Sequence, residues 1–141
     1  MFRNFLILVA FSFISATGFG QTLIGIWKNL DDSDGKEKSH IQIYEKDGKF
    51  RAKVIKLLPG ATITKCTACT GINKDKDIVG MDIVWDMKKK GSEYDSGTIL
   101  DPKSGKEYSC LMKLEGTDKL KVRGYLGMAV LGRTQYWYRV K

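Results

Sequence analysis

The stretch 106–123, KEYSCLMKLEGTDKLKVR, decides the fold class of this chain. In its first half polar residues alternate with less polar ones, which are Tyr108, Cys110, Met112 and Leu114. Gly-Thr-Asp then marks a turn, and Leu120 and Val122 alternate with basic residues in the second half. A period of two residues is typical of β-strands that have one buried and one solvated face. The stretch therefore predicts an antiparallel hairpin.

Similar runs extend from this hairpin toward both ends of the chain. The same reasoning predicts further strands at 22–29, 40–45, 50–57, 78–87, 96–100 and 133–140. Turn signals such as Asp47-Gly48 and Pro59-Gly60 separate them. Residues 124–131, GYLGMAVL, fit either a short helix or a loop. About eight strands with short links predict an all-β fold, a small antiparallel up-and-down β-barrel, because closure removes exposed sheet edges.

The first residues, MFRNFLILVAFSFISATGFG, have the layout of a secretory signal peptide: a positive start, an apolar run and a small-residue end. Gly18 and Gly20 would occupy the two small-residue positions of a cut before Gln21. The apolar run is too short for a membrane span, which needs about 20 residues. We therefore expect a signal peptide at 1–20 and, at 21–141, a single β-barrel domain with no transmembrane segment.

Export and charge together limit the partners. The signal peptide predicts an exported protein, with the periplasm favoured over the extracellular space. The chain is basic, with a formal net charge of +8, but its lysines are scattered, which indicates a solvated surface. Nucleic acid would require a basic stripe interleaved with exposed aromatic residues. We therefore expect no nucleic-acid partner.

A tryptophan at the start and an arginine at the end point to barrel closure. Gly25-Ile26-Trp27 lies on the first predicted strand and Arg139 on the last. These strands are neighbours in a closed meander, so Arg139 can stack on the Trp27 ring in a cation–π contact. The alternative is a core tryptophan and an unrelated surface arginine. The pairing resembles the lipocalin and wider calycin signature, in which its role is structural.

Two cysteines form the motif Cys66-Thr67-Ala68-Cys69. A thioredoxin-like redox site would need a helix that begins at the motif, and none is predicted there. Zinc would need four ligands, and the other candidates, Cys110 and His40, lie on separate predicted strands. After export, a disulfide between Cys66 and Cys69 is the favoured interpretation, with redox chemistry and a metal site as alternatives. We expect no metal or cofactor, and a buried free thiol at Cys110.

Polar and amphipathic side chains cluster among glycines near the end of the chain. They are Arg123, Tyr125, Arg133 and Gln135. We hypothesise a ligand site at the mouth of the barrel, where Arg123 or Arg133 would face an anionic headgroup. The alternative is a network of hydrogen bonds and packing contacts that closes the barrel.

Several motifs together resemble a known family. They are the exported start, the G-x-W opening, ILDPKSGKEY at 99–108, VRGYLG at 122–127 and the closing W-x-R. This set is similar to the exported bacterial family called Domain of Unknown Function 2147, over essentially the whole mature chain. The cysteine pair also resembles a feature of some members. The resemblance implies a calycin-like, lipocalin-like barrel and implies no activity.

The function predicted from these observations is binding without catalysis. A small apolar or anionic amphipathic ligand would occupy the barrel. The alternative is a structural or protein-interaction module of the cell envelope, without a pocket, that uses residues 125–131. A redox or metal-dependent enzyme built on Cys66 and Cys69 is the least favoured interpretation, and the chain has no G-x-S-x-G or phosphate-binding glycine loop.

Overall fold

The computed structural model describes residues 22–128 and 131–141, so the predicted signal peptide at 1–20 lies outside the described residues. Eight strands and one short 3-10 helix occur within these ranges. The strands are β1 (Gly25–Leu30), β2 (Glu37–Lys46), β3 (Lys49–Leu57), β4 (Asp82–Lys90), β5 (Glu93–Asp101), β6 (Lys106–Glu115), β7 (Lys119–Tyr125) and β8 (Gly132–Arg139). The 3-10 helix spans Gly71–Asn73, in the long connection between β3 and β4.

The strands close into a barrel, which confirms the predicted fold class. Each strand pairs antiparallel with the next, and β1 pairs with β8. At this seam Trp27 lies opposite Arg139, and Asn29 lies opposite Trp137. Closure leaves no strand with an unpaired edge, which is the physical reason that a meander of this length forms a barrel.

The hairpin that carries the alternating pattern forms as predicted. In the register of β6 and β7, Met112 lies opposite Val122 and Leu114 opposite Leu120. Met112, Val122 and Leu120 are buried, while the basic residues between them face solvent. Gly116 begins the connecting turn with a φ of 75°, a conformation that glycine adopts without steric cost.

The chain direction gives the barrel two distinct ends. The connections after β1, β3, β5 and β7 lie at one end, which we call the mouth. The turns after β2, β4 and β6 lie at the other, which we call the closed end. The interior toward the closed end is filled by apolar side chains, among them Trp27, Ile41, Ile43, Val54, Met87, Met112, Leu120 and Val122.

Several strand boundaries differ from the prediction, and each difference has a local cause. β1 begins at Gly25 rather than at residue 22, because Leu23 is buried and its carbonyl oxygen accepts a hydrogen bond of 2.8 Å from Trp27 Nε1. β4 begins later than predicted, because the apolar Ile78 and Met81 are buried within the preceding loop. In the segment 124–131, the first two residues belong to β7. Residues 126–128 form a bend and not a helix.

The long connection between β3 and β4 has its own framework. Cys66 and Cys69 form the predicted disulfide, with Cα atoms 5.3 Å apart, and both residues are buried. Backbone hydrogen bonds join Cys66 N to the Lys76 oxygen at 2.8 Å and Ile78 N to the Thr64 oxygen at 2.9 Å. Loops this long are uncommon unless they are functional or disordered, and this one is tied together internally.

Candidate functional site

The closed end is sealed by Arg139. Its guanidinium carbon lies 4.3 Å from the centroid of the buried Trp27 ring. Its three nitrogens donate to three backbone oxygens: Nε to Thr117 at 2.9 Å, NH1 to Ile24 at 3.0 Å and NH2 to Thr22 at 2.8 Å. The structure therefore places Trp27 and Arg139 in contact. Arg139 also connects residues 22–24 to the turn between β6 and β7.

The glycine of the G-x-W motif has a steric role at this end. Gly25 adopts a φ of 145°, and a Cβ atom there would come within 2.6 Å of Arg139 NH1. A larger side chain would displace the guanidinium from its carbonyl partners. The hydrogen bonds of Arg139 with its carbonyl partners therefore favour glycine at position 25.

The mouth contains a cavity of about 690 Å³, which we call the mouth cavity. Ile99, Leu100, Tyr108 and Trp137 form much of its apolar lining. Polar side chains from the connections after β1 and β5 and from the start of β8 form its rim. The volume falls within the range of about 300–1,000 Å³ that is typical of small-molecule sites.

Gly124 forms part of the wall of this cavity. It follows Leu120 and Val122 at the next inward position of β7, and both of those side chains are fully buried. A Cβ atom on Gly124 would lie 3.4 Å from Ile99 Cγ2 and 3.4 Å from Tyr108 Cβ. Ile99 and Tyr108 therefore pack against Gly124, and a side chain longer than that of alanine at this position would have to displace them or extend into the cavity space. The space opens toward the mouth.

Three of the four predicted ligand residues line the mouth cavity: Tyr125, Arg133 and Gln135. Arg123 is not among the lining residues. Strand alternation places it on the outer face of β7, where its NH1 donates to Thr134 Oγ1 at 2.8 Å. Arg123 shares its parity with the lysines of β7 and not with Leu120 and Val122, but Tyr125 has the same parity and lines the cavity, so parity alone does not separate the two residues.

Arg133 already has an anionic partner. Its Nε donates to Asp32 Oδ2 at 3.0 Å and its NH2 to Asp32 Oδ1 at 2.6 Å. These hydrogen bonds and the Asp32 charge raise the pKa of Arg133 above its usual value. The guanidinium that was expected to face an anionic headgroup therefore joins the start of β8 to the connection after β1.

The ionisable side chains of the rim do not favour an anion. The carboxylates that line the mouth cavity are Asp31, Asp32 and Asp101, and the cations are Lys103 and Arg133. The acidic groups thus outnumber the basic ones by three to two. A hydrogen bond from the Ser33 hydroxyl lowers the pKa of Asp31, so this carboxylate stays charged at neutral pH.

Two residues at the cavity wall hold each other in place. Trp137 Nε1 donates to Gln135 Oε1 at 3.1 Å, which satisfies the indole N–H of a buried tryptophan. Neither Trp137 nor Asp32 was identified from the sequence as a site residue. Asp32 belongs to the turn DDSDG, which by itself signals only a tight connection.

Among the described residues, the remaining candidates for chemistry form neither a reactive thiol nor a metal site. Burial raises the pKa of the free Cys110 thiol to about 12, so it is protonated and a poor nucleophile. Across 22–128 and 131–141, no three His, Cys, Asp or Glu side chains are grouped to hold a metal ion. In the same residues no helix has the length and apolarity of a transmembrane segment.

A closed eight-stranded meander with an arginine-sealed end and an open mouth defines the class of lipocalin-like β-barrels. Residues 25–139 match the family described as "Uncharacterized protein conserved in bacteria (DUF2147)", and the chain belongs to this family.

A solved structure supports the fold assignment. It is described as "Protein HP1028 from the human pathogen Helicobacter pylori belongs to the lipocalin family". The TM-score is 0.76 at 21% sequence identity, over 86% of this chain and 85% of that chain. At this identity the similarity shows the fold alone. No curated protein matches the chain.

Proposed function

We propose that this protein is an exported, non-enzymatic binding protein that holds a small apolar or neutral amphipathic ligand in the mouth cavity. The observation that carries the proposal is the mouth cavity of about 690 Å³ with its apolar lining, above an interior that is otherwise packed. Small barrels of this kind hold one ligand at the open end. The N-terminal signal pattern and the disulfide support an oxidising location outside the cytoplasm, with the periplasm favoured.

Affinity would come from the apolar lining. Burial of apolar surface contributes about 25 cal/mol per Å², so a ligand that buries about 300 Å² gains roughly 7 kcal/mol before the costs of association. Trp137 and Tyr108 supply rigid aromatic surface for this contact. The carboxylates at the rim disfavour an anionic headgroup, which is why the proposal specifies a neutral ligand.

The test uses a matched pair of fluorescent probes, neutral N-phenylnaphthylamine and its sulfonated analogue anilinonaphthalene sulfonate. The neutral probe is expected to bind more tightly than the anionic one. Gly124→Leu fills the cavity and should weaken binding of the neutral probe by at least about tenfold, whereas Gly124→Ala leaves most of the space open. Lys121→Leu adds the same side chain on the outer face of β7 and serves as the control.

Two results would contradict the proposal. The first is equal probe affinity in Gly124→Leu and in the wild type, with both proteins folded by circular dichroism. The second is a loss of affinity in Lys121→Leu that equals the loss in Gly124→Leu.

A second candidate function follows from the connection between β7 and β8. Leu126, Met128 and Leu131 are each more than half exposed, as expected for a surface that contacts another protein. Leu126 and Leu131 also line the mouth cavity, but Met128 does not. Met128→Ser therefore separates the two functions: loss of a co-purified envelope protein with unchanged probe affinity would favour an interaction module.

A further inference from the structure

A second recess lies on the outer wall of the barrel, with a volume of about 740 Å³. We call it the outer cleft. One side is formed by residues 70–73 and 76–77 of the long connection, and the other by outer-face residues of β3, β4 and β6. It shares no lining residue with the mouth cavity. The two recesses therefore belong to separate sites.

The barrel side of the outer cleft is held by a network of half-buried side chains. Asp82 accepts a hydrogen bond of 2.6 Å from the Tyr44 hydroxyl and bonds of 3.3 and 3.1 Å from Arg51 Nε and NH2. Burial alone would lower the pKa of Arg51, but the charge and hydrogen bonds of Asp82 outweigh it and raise that pKa. This wall is fixed by its own contacts and needs no ligand to order it.

The loop side is held by the disulfide. The pair Cys66–Cys69 lies immediately before the 3-10 helix Gly71–Asn73 at the edge of the cleft. Cys66 Sγ also lies 3.3 Å from the Pro102 carbonyl oxygen, and a Cβ atom on Gly105 would come within 2.0 Å of the Ala68 oxygen. The cysteine turn is thus seated tightly on the connection after β5. Both walls are pre-organised, as a binding site requires.

Trp85 gives the outer cleft an aromatic surface. The chain has three tryptophans, and Trp27 and Trp137 are buried in the barrel. Trp85 lies on the outer face of β4, is half buried and lines the cleft. Ile72, which also lines it, is 84% exposed. One part of Trp85 packs against the hydrophobic core, and the part that stays exposed gives the cleft its aromatic surface.

We infer that the outer cleft binds a neutral saccharide through a pyranose ring. An aromatic ring packs against the apolar C–H face of a sugar, while planar polar side chains hydrogen-bond its hydroxyl groups in pairs. The outer cleft offers both, since Arg51, Asn73, Asp77 and Glu107 line it together with Trp85. A purely apolar ligand would bury these polar groups without partners.

The charge of the cleft supports a neutral ligand. Its cations are Arg51 and Lys76, and its carboxylates are Asp77, Asp82 and Glu107. The Arg51–Asp82 ion pair cancels one charge of each sign. The remaining charges, those of Lys76, Asp77 and Glu107, give no positive field that would attract a phosphate or a polyanion.

The experiment titrates the full mature protein with three neutral trisaccharides: N,N′,N″-triacetylchitotriose, cellotriose and maltotriose. We expect at least one of them to shield Trp85 from acrylamide quenching, a signal free of the two buried tryptophans. Amide NMR shifts should fall in 70–82 and not among the residues that line the mouth cavity. Trp85→Ala should weaken binding at least about tenfold, or about 1.4 kcal/mol, and Trp85→Phe should restore part of the affinity.

The mouth variant Gly124→Leu is the control, and it should keep saccharide affinity within about twofold of the wild type. The inference is overturned if none of the three probes perturbs the outer cleft at about 10 mM, a concentration that would saturate even a millimolar site. It is also overturned if the shifts fall among the residues that line the mouth cavity, or if, in a parallel titration with glucose and glucose phosphate, the phosphate binds more tightly. These outcomes leave the proposal for the mouth cavity untouched.

Discussion

Arg133 and Arg139 lie on the same strand, share the same parity and mark the two ends of the barrel. The side chain of Arg139 is 22% exposed and bonds three backbone oxygens, while that of Arg133 is 70% exposed and bonds one carboxylate. Backbone oxygens are fixed parts of the barrel, whereas Asp32 is a side chain on a connection. The same residue type thus forms a permanent seal at one end and an adjustable contact at the other.

The largest expected effect comes from breaking the seal. Arg139→Ala removes the cation–π contact with Trp27 and leaves three backbone oxygens without their charged donor, so the free energy of unfolding should fall by about 2–3 kcal/mol. Arg133→Ala removes one exposed ion pair and should change the free energy of unfolding by less than about 1 kcal/mol. Urea unfolding measures both. Equal losses of stability in the two variants would show that Arg139 does not hold its end of the barrel more strongly than Arg133 holds the other.

The next effect tests how far water enters from the mouth. Cys110 lies opposite Gly124 in the register of β6 and β7, directly beneath the mouth cavity, and burial raises the pKa of its thiol from 9.0 to about 12. Between these values the unfolded chain ionises and the folded one does not, so stability is lost as pH rises. From about pH 8 to about pH 10.5 the loss from this thiol should approach 2 kcal/mol.

The matched variant is Cys110→Ala. Burial also raises the pKa of Tyr44 and Tyr94, so both proteins lose stability at alkaline pH, and only the difference between their slopes reports the thiol. Identical slopes would mean that water reaches Cys110 through the mouth and that the floor of the cavity is not sealed.

Much of the barrel could be predicted because its determinants are local. The alternation in 106–123 specifies which side chains face inward, and that assignment holds for Met112, Leu120 and Val122. The pairing of the first and last strands followed from closure, and the register observed there places Trp27 opposite Arg139. Boundaries were missed where buried residues such as Leu23 lie outside regular strands.

The mouth could not be predicted to the same depth because its determinants are distant in sequence. Arg133 meets Asp32 across 101 residues, and no spacing rule connects them. The wall at Gly124 depends on Ile99 and Tyr108, which belong to other strands. Parity would have excluded Arg123, but it would also have excluded Tyr125, which lines the mouth cavity at the end of β7.

The smallest effect concerns the adjustable contact itself. Asp32→Asn keeps the shape of the side chain but removes the charge that holds Arg133. Stability should change by less than about 1 kcal/mol, because the ion pair is exposed. With its partner neutralised, Arg133 becomes available to an anion, so anilinonaphthalene sulfonate should bind up to about fivefold more tightly.

The neutral probe provides the internal reference for this last comparison. N-phenylnaphthylamine has no sulfonate to meet Arg133, so its affinity in Asp32→Asn should stay within about twofold of the wild type. A parallel gain for both probes would mean that the Arg133–Asp32 contact limits access to the cavity and not its charge preference. No gain for either probe would mean that Arg133 does not reach a ligand in the mouth cavity, and its role would then be confined to joining β8 to the connection after β1.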